Sequence, residues 1–477
     1  MKKYIGFLMF LILSPMAAQN FNDAIRLGEQ KLDYDARTLS LGNSTMGALG
    51  NFSSSLLNPA GLATIKRDIL SLSFNSNSYE NSTDFLNSSL TSDRKNGNTN
   101  QFSFVFPLPV KRGSAVIAFG YNQSRDFNSV LEFDAFNSGN NSMIQDLTGF
   151  DDDIAYELGL SYPTYATDDT YLGDETQING RLNQSGELIE EGYLNNWIMS
   201  GAAEVAKNLY VGGTFNIISG SYENNRQYWE EDLDDVYTGL LDPADSSTLG
   251  FESFYINDQV DWDVSGWDFR LGMLYKVNEI FNFGATIKFP TYYTVKEKYS
   301  IYGESNFTNN YFVIDSPGER IEYEIQSPME LSGGISADFP FVNVNASLKY
   351  VDYSQLEFSE GFSKSELNDL NREIEDVFQS TLNWNIGAEV TLPYPALKLR
   401  GGFIYNPSPF SADETDFDKK YFTAGLGFPI AKKLLFDFAY VHGWWKNYSD
   451  NYGFEVSRTF QDIKVNKLVF SVSYIFM

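Results

Sequence analysis

Between Trp267 and Phe289 the chain reads WDFRLGMLYKVNEIFNFGATIKF. Trp267, Phe269, Leu271, Met273 and Tyr275 fall at every second position, Asn278 and Glu279 interrupt, and Phe281, Phe283, Ala285, Ile287 and Phe289 resume the rhythm. Side chains of a strand point alternately to its two faces, so this is an antiparallel pair joined by a tight turn and apolar on one side. The other side carries Asp268, Arg270, Thr286 and Lys288, too polar for a dry core. The same period recurs over residues 70–74, 102–108, 115–121, 342–348, 384–390 and 397–405, with Asn345, Ser347, Lys349, Asn383, Asn385, Glu389, Lys398 and Arg400 on the opposite faces. One greasy and one wet face on each strand describes either a soluble sheet or a barrel with lipid outside and water within.

Connection lengths decide between the two. Turns centred on Pro109–Gly113, Lys207–Asn208, Asn278–Glu279, Pro340, Pro393–Pro395 and Ala431–Lys433 alternate with long segments at 80–97, 128–190, 222–258, 300–318, 359–377, 406–418 and 448–464. Outer-membrane barrels have short periplasmic turns and long outer loops. The expected fold is therefore all-β, a transmembrane antiparallel β-barrel of about 14 strands, with both termini in the periplasm of a Gram-negative cell. The end of the chain agrees, because Leu468, Phe470, Val472, Tyr474 and Phe476 form an apolar face that stops one residue short of the terminus. Such a strand left exposed invites edge-to-edge association, and barrel closure removes the edge.

Lys2 and Lys3 precede an apolar run from Tyr4 to Leu13 and a small-residue segment from Ser14 to Ala18, which reads as a secretory signal peptide over residues 1–18. The run is short of the ~20 residues of a membrane helix, and no later stretch is apolar enough to be one. With no cysteine, disulfides, zinc clusters and thiol nucleophiles are excluded. A formal charge of −29 excludes nucleic acid as a partner. The single imidazole, His442 in Val441-His442-Gly443-Trp444-Trp445, has no serine and carboxylate at triad spacing, so no enzyme is expected. The acidic runs Asp151–Asp153 and Glu230–Asp235 lack the spacing and glycine of a calcium loop and are expected to be solvated surface, with neither metal nor other cofactor.

The residues between signal peptide and first strand do not alternate. They run Asp35-Ala36-Arg37-Thr38-Leu39-Ser40-Leu41-Gly42, through Gly47 and Gly50, to Leu57-Asn58-Pro59-Ala60-Gly61-Leu62-Ala63. Pro59 fixes its own φ and biases Asn58 toward extended geometry, while Gly61 permits a sharp turn. Small residues of this kind suit a segment tucked inside a lumen. The Arg-x-Leu-Ser-x-Gly lead, the glycine-rich middle and the Asn-Pro-Ala-Gly-Leu-Ala block resemble the plug of the FadL/TodX family of outer-membrane transporters, most strongly over residues 35–65. The resemblance implies a hatch at 19–65 inside a barrel at 66–477, with Asn58, Pro59, Ala60 and Gly61 in its gating block. It also implies passive uptake of hydrophobic compounds, long-chain fatty acids or aromatic hydrocarbons, by a monomer surrounded by outer-membrane lipid and lipopolysaccharide. A branch of the same family serves protein secretion in Bacteroidetes-type bacteria, and a binding or shuttle role without solute transport is the alternative.

Arg270, Lys288, Lys349 and Arg400 fall on the expected inward face. They are the candidates to hold a ligand carboxylate, although pairing with Glu389, Asp437 or Glu204 across the lumen is the simpler role. Tyr228, Trp229, Phe251 and Phe254 are candidates for an outer capture patch, with loop packing as the simpler role.

Overall fold

The computed structural model describes residues 21–476 apart from 30, 31, 33, 49, 150–153, 395, 432 and 454. The expected signal peptide and the Asp151–Asp153 run lie outside the described residues. The remainder is a closed antiparallel barrel of 14 strands. In chain order these are β1 (Ile69–Phe85), β2 (Ser88–Leu108), β3 (Ala115–Asp126, continued by Ser129–Asn137), β4 (Leu182–Ala206), β5 (Leu209–Glu231), β6 (Phe251–Lys276) and β7 (Phe281–Lys288, continued by Tyr292–Phe307). They are followed by β8 (Asn310–Gln326, continued by Glu330–Asp338), β9 (Val342–Asp352), β10 (Ser380–Thr391), β11 (Lys398–Asn406), β12 (Lys419–Ala431), β13 (Leu434–Asp450) and β14 (Arg458–Ile475). β1 pairs with β14 from Ile69↔Ile475 to Phe85↔Thr459 and closes the wall. Pro290 and Pro328, which lack the N–H a ladder needs, stand at the facing interruptions of β7 and β8.

The alternation in sequence sets which way each side chain points. Trp197, Ile217, Trp267 and Tyr292 share one cross-strand row and are exposed on the outside, the upper aromatic girdle. Phe281, Phe339, Phe341, Phe428 and Phe476, also exposed, mark the rim of the short turns.

Above the girdle the strands continue where long loops are expected. β1 and β2 meet in a turn at Leu86–Asn87, β7 and β8 at Thr308–Asn309, and β6 is 26 residues long. The segments 80–97 and 300–318 are therefore hairpin, and much of 222–258 and 448–464 is strand. Once both faces of a strand leave the lipid, polar residues such as those of Asn75-Ser76-Asn77-Ser78 fit either face. The ladder persists while the hydropathy signal vanishes. The segment 359–377 also differs, since Lys364–Val377 is a helix with a Ser363/Glu366 capping box.

An extracellular cap closes part of the upper mouth. Tyr228, Phe251 and Phe254 are buried in its core with Phe85, Phe133, Met143, Leu158 and Tyr452, so they are packing and not a capture patch. Glu230 departs from the solvated acidic surface expected of its run. It is fully buried, and its Oε1 accepts hydrogen bonds from Met143 N and Gln184 Nε2 at 2.8 Å and from Tyr228 Oη at 2.9 Å. Its Oε2 is buried with no partner. Burial pushes the carboxyl up to about 7 despite those three donors. Because the fold holds the proton more tightly than the unfolded chain does, the cap is most stable in acid and loses that stability as pH rises from about 4.5 to about 7. Hydrogen-exchange protection of residues 141–147 and 451–457, corrected for intrinsic rates, is expected to fall from pH ~5 to pH ~8 and to flatten in Glu230→Gln. An unchanged slope in that variant would remove Glu230 as the cause.

Candidate functional site

The hatch is built from short pieces that turn wherever the backbone allows. Asp35 caps α2 (Ala36–Ser40) by accepting from Thr38 N at 2.9 Å, and it also receives Ser53 Oγ at 2.5 Å and Asn51 Nδ2 at 2.6 Å. One carboxylate thereby ties together three turns of the segment. α3 (Ser54–Leu57) then leads into Asn58, whose extended backbone (φ −141°) is what a following proline favours. Asn58 Oδ1 accepts from Ala60 N at 3.2 Å, and its Nδ2 donates to Met46 O at 2.8 Å and to Met273 O of β6 at 3.0 Å. One side chain caps the Pro59–Thr64 turn, braces the hatch and anchors it to the wall. Losing it removes the cap, the brace and the anchor together. Pro59, Ala60 and Gly61 are all buried.

The wall receives the hatch on glycines. A Cβ on Gly284 would stand 2.0 Å from Met46 O, one on Gly272 2.2 Å from Asn58 Oδ1, and one on Gly212 2.6 Å from the Pro59 carbonyl carbon. Gly387 and Gly402 meet Leu41 and Gly42 in the same way, and Gly425 meets Ser40. Hatch backbone lies directly on barrel backbone around much of the circumference. Glycine at inward positions of successive strands was the available signal for this seat, and the alternation argument, which tracks apolar residues, passes over it.

Above the hatch the lumen holds an apolar cluster, the upper chamber. Its walls include Leu194, Ile218, Tyr222, Trp262, Val264 and Val295, and its roof includes Ile374 of the Lys364–Val377 helix, Phe378 and Phe410. α1 (Phe21–Gly28) fills it with Phe21, Ala24, Ile25 and Leu27. The sequence reading places these residues in the hatch without locating them. The polar side of α1 is held separately. Arg26 pairs with Asp23 at 2.6 Å and Glu190 at 3.3 Å and lies 4.7 Å over the Tyr222 ring. Arg125 Nη2 donates to Leu27 O at 3.2 Å, satisfying a carbonyl at the helix end. Eight residues are too few to be a stable helix alone, so these contacts hold α1 in place.

Between α1 and the hatch floor is a polar cavity of about 110 Å³ lined by Arg125, Asp268, Arg270, Lys288, Glu330 and Lys349 among others. Three of the four candidate cations therefore converge there, and the fourth does not. Lys288 and Lys349 share Glu330, at 3.0 and 3.5 Å, a partner that sequence reasoning misses. Arg270 makes no ion pair among the described residues. Its Nε is buried without a hydrogen-bond partner, and its Nη1 lies 3.5 Å from Leu57 O of the hatch. Arg400 pairs with Glu389 of the adjacent strand at 2.7 Å and with Asp437, two strands further along the wall, at 2.6 Å. Glu204 instead accepts from Asn208 N at 3.0 Å in a short turn. His442 lies beside Asn466, 2.9 Å away, and stacks near Trp444.

The family model described as outer membrane protein transport protein (OMPP1/FadL/TodX) matches residues 193–473, from within β4 to within β14. Among solved structures, the toluene transporter TodX of Pseudomonas putida is similar at 14% identity and TM-score 0.54, covering 94% of this chain and 99% of that one. A FadL homologue of Pseudomonas aeruginosa is similar at 12% identity and TM-score 0.56, covering 94% and 100%. The Ralstonia pickettii toluene transporter TbuX is similar at 16% identity and TM-score 0.50, covering 93% and 98%. At these identities the likeness concerns the fold. No curated protein matches the chain by sequence.

Proposed function

We propose that this chain, which belongs to the OMPP1/FadL/TodX family of outer membrane transport proteins, takes up hydrophobic compounds by letting them replace α1 in the upper chamber and then unseat the hatch. The observation that carries the reading is an apolar cluster in the lumen, roofed by a helix and filled by the chain's own N-terminal helix, with a polar cavity between it and the glycine-seated hatch. A solute gains ~0.8 kcal/mol for each CH₂ it buries, so a long acyl chain or an aromatic hydrocarbon competes with Phe21, Ile25 and Leu27 for the same surface. The toluene transporters among the similar structures support the aromatic option. Arg270, next to the hatch and without an ion partner among the described residues, is the cation suited to a ligand carboxylate. Lys288 and Lys349 assist from their shared carboxylate, and Arg400 serves the wall. Asn58, Pro59, Ala60 and Gly61 form the block that must shift for the hatch to open.

Uptake of labelled oleate and toluene by cells with and without the gene tests this. Both are expected to depend on the gene, and deletion of residues 21–28 is expected to raise the initial rate several-fold by vacating the chamber. Arg270→Met should slow oleate and spare toluene. If neither compound's uptake depends on the gene, transport fails as the function, and the binding or shuttle role in protein secretion takes its place.

A further inference from the structure

The wall splits above the membrane between β2 and β3. Their ladder runs from Leu108↔Ala115 to Gln101↔Asn122 and stops level with the outward pair Tyr121–Trp197 of the girdle. β2 continues upward over residues 88–100, laddered only to β1 among the described residues. β3 does not follow it. Its continuation Ser129–Asn137 passes inside the β1–β2 hairpin, where Asn81 Nδ2 donates to Val130 O at 2.9 Å and Thr83 Oγ1 to Glu132 O at 2.5 Å. At the crossing, Asp126 is held by Asn77 Nδ2 at 2.6 Å and Asn96 Nδ2 at 2.8 Å. The hairpin overhangs its neighbours and its long edge is bare.

Which backbone groups are bare follows from the turn. A two-residue connection makes Phe85 and Ser88 a hydrogen-bonded pair, and hydrogen-bonded residues then alternate along the ladder. Ser89, Thr91, Asp93, Lys95, Gly97 and Thr99 accordingly present N–H and C=O sideways, away from β1. On the β1 side, Asn98 N donates to Asn75 Oδ1 at 3.1 Å, as this phase requires.

The bare edge borders a groove of about 860 Å³ whose floor is the outer face of β4 to β8. The part nearest the hairpin is acidic, and Lys296, Lys298 and Arg320 line the far side. Glu191, Glu223 and Asp261 form one cross-strand row, and Asp263 lies in the next. Arg94 of the hairpin reaches down to Glu191 at 2.8 Å, which shows how close hairpin and floor lie. Burial and the neighbouring charges of Asp261 and Glu191 push the Glu223 carboxyl up, so the row is crowded with like charge.

An unpaired strand edge is a template for strand addition, in which main-chain bonds hold the added segment and alternate side chains read the surface beneath it. We propose that this groove receives, from outside the cell, an extended lysine- or arginine-rich polypeptide segment that adds as a strand to residues 89–99. The added strand passes over the Glu191–Glu223–Asp261 row, and its floor-facing side chains at that crossing meet carboxylates, where cations fit and carboxylates are repelled. A second copy of the chain does not fit. Two copies in one membrane share an axis along the membrane normal, which keeps their β2 strands running in the same sense and crossing.

The test uses the full barrel in lipid nanodiscs and a fluorescein-labelled ten-residue peptide of alternating threonine and lysine, read by anisotropy. Saturable binding is expected, at least tenfold tighter than for the alternating threonine–glutamate peptide. The double substitution Thr91→Pro with Lys95→Pro removes two edge N–H groups and no β1 bond, so it should weaken binding at least tenfold, whereas Thr91→Val with Lys95→Val should not. Glu223→Gln with Asp261→Asn should weaken it as well. A ¹³C-labelled peptide should gain the amide I band of a β-strand on binding to the unmodified barrel. The proposal is overturned by absent saturation, by equal binding to the proline variant, or by a bound peptide whose band stays disordered.

Discussion

The double variant Gly272→Ala with Gly284→Ala is expected to fold as a barrel and to leak. Each added methyl would stand about 2 Å from hatch atoms, Asn58 Oδ1 in one case and Met46 O in the other, and real Cβ contacts do not come that close. Relief must come from the hatch, because Gly272 and Gly284 sit in strands laddered on both sides. Overpacking costs ~1–3 kcal/mol per site. Asn58 and Met46 are themselves hydrogen-bonded, so the two costs couple and do not simply add. At ~1.4 kcal/mol per tenfold, the unseated fraction should rise roughly ten- to a hundredfold. Ion conductance in planar bilayers and protease cleavage within residues 35–65 are the readouts. Gly401→Ala is the control, since its methyl meets only Thr423 O at 3.8 Å. A double variant that conducts and cleaves no more than this control would show that the seat is not what closes the lumen.

The second large effect is on stability. Arg400→Met removes the cation between Glu389 and Asp437, whose side chains are only 8% and 13% exposed. Glu389 keeps Lys398 at 2.8 Å, while Asp437 loses its only ion pair among the described residues. Breaking a buried pair from one side costs ~3–5 kcal/mol. The temperature at which the purified barrel loses its compact gel mobility should fall accordingly. Adding Glu389→Gln and Asp437→Asn should restore most of the loss, because the uncompensated charge and not the missing contact dominates it. Arg270→Met, with no ion pair to break among the described residues, should leave that temperature nearly unchanged. If the two arginine variants melt alike, the division between a bracing and a ligand-facing cation is wrong.

The barrel was legible because its signal repeats. Residues 267–289 and 468–476 each state the lipid face in two-residue steps, and short turns such as Asn278–Glu279 fix the order of rims. That signal ends where the lipid ends, so the upper strands read as loops from composition although their ladders persist. The Ser363/Glu366 capping box was a local sign of the roof helix, but it sat in a stretch already explained as connection. Asn58 was singled out through its block, and its bond to Met273 O required the fold. The Glu330 bridge joins β8 to cations on β7 and β9, a pairing that spacing along the chain does not encode. The seat of the hatch was written in glycines, whose message is the absence of a side chain.

A 26-residue strand at ~3.3 Å per residue and ~45° tilt stands ~60 Å tall, about twice the hydrocarbon thickness of a bilayer. The wall therefore reaches well beyond the lipid, and the apolar cap packed inside its upper end lies outside the membrane. On the proposed uptake route, a solute meets the protein above the membrane surface rather than within the lipid. The proposed route then predicts that trimming the sugars of the cell surface changes the uptake rate far less for this protein than for leakage through the bare membrane.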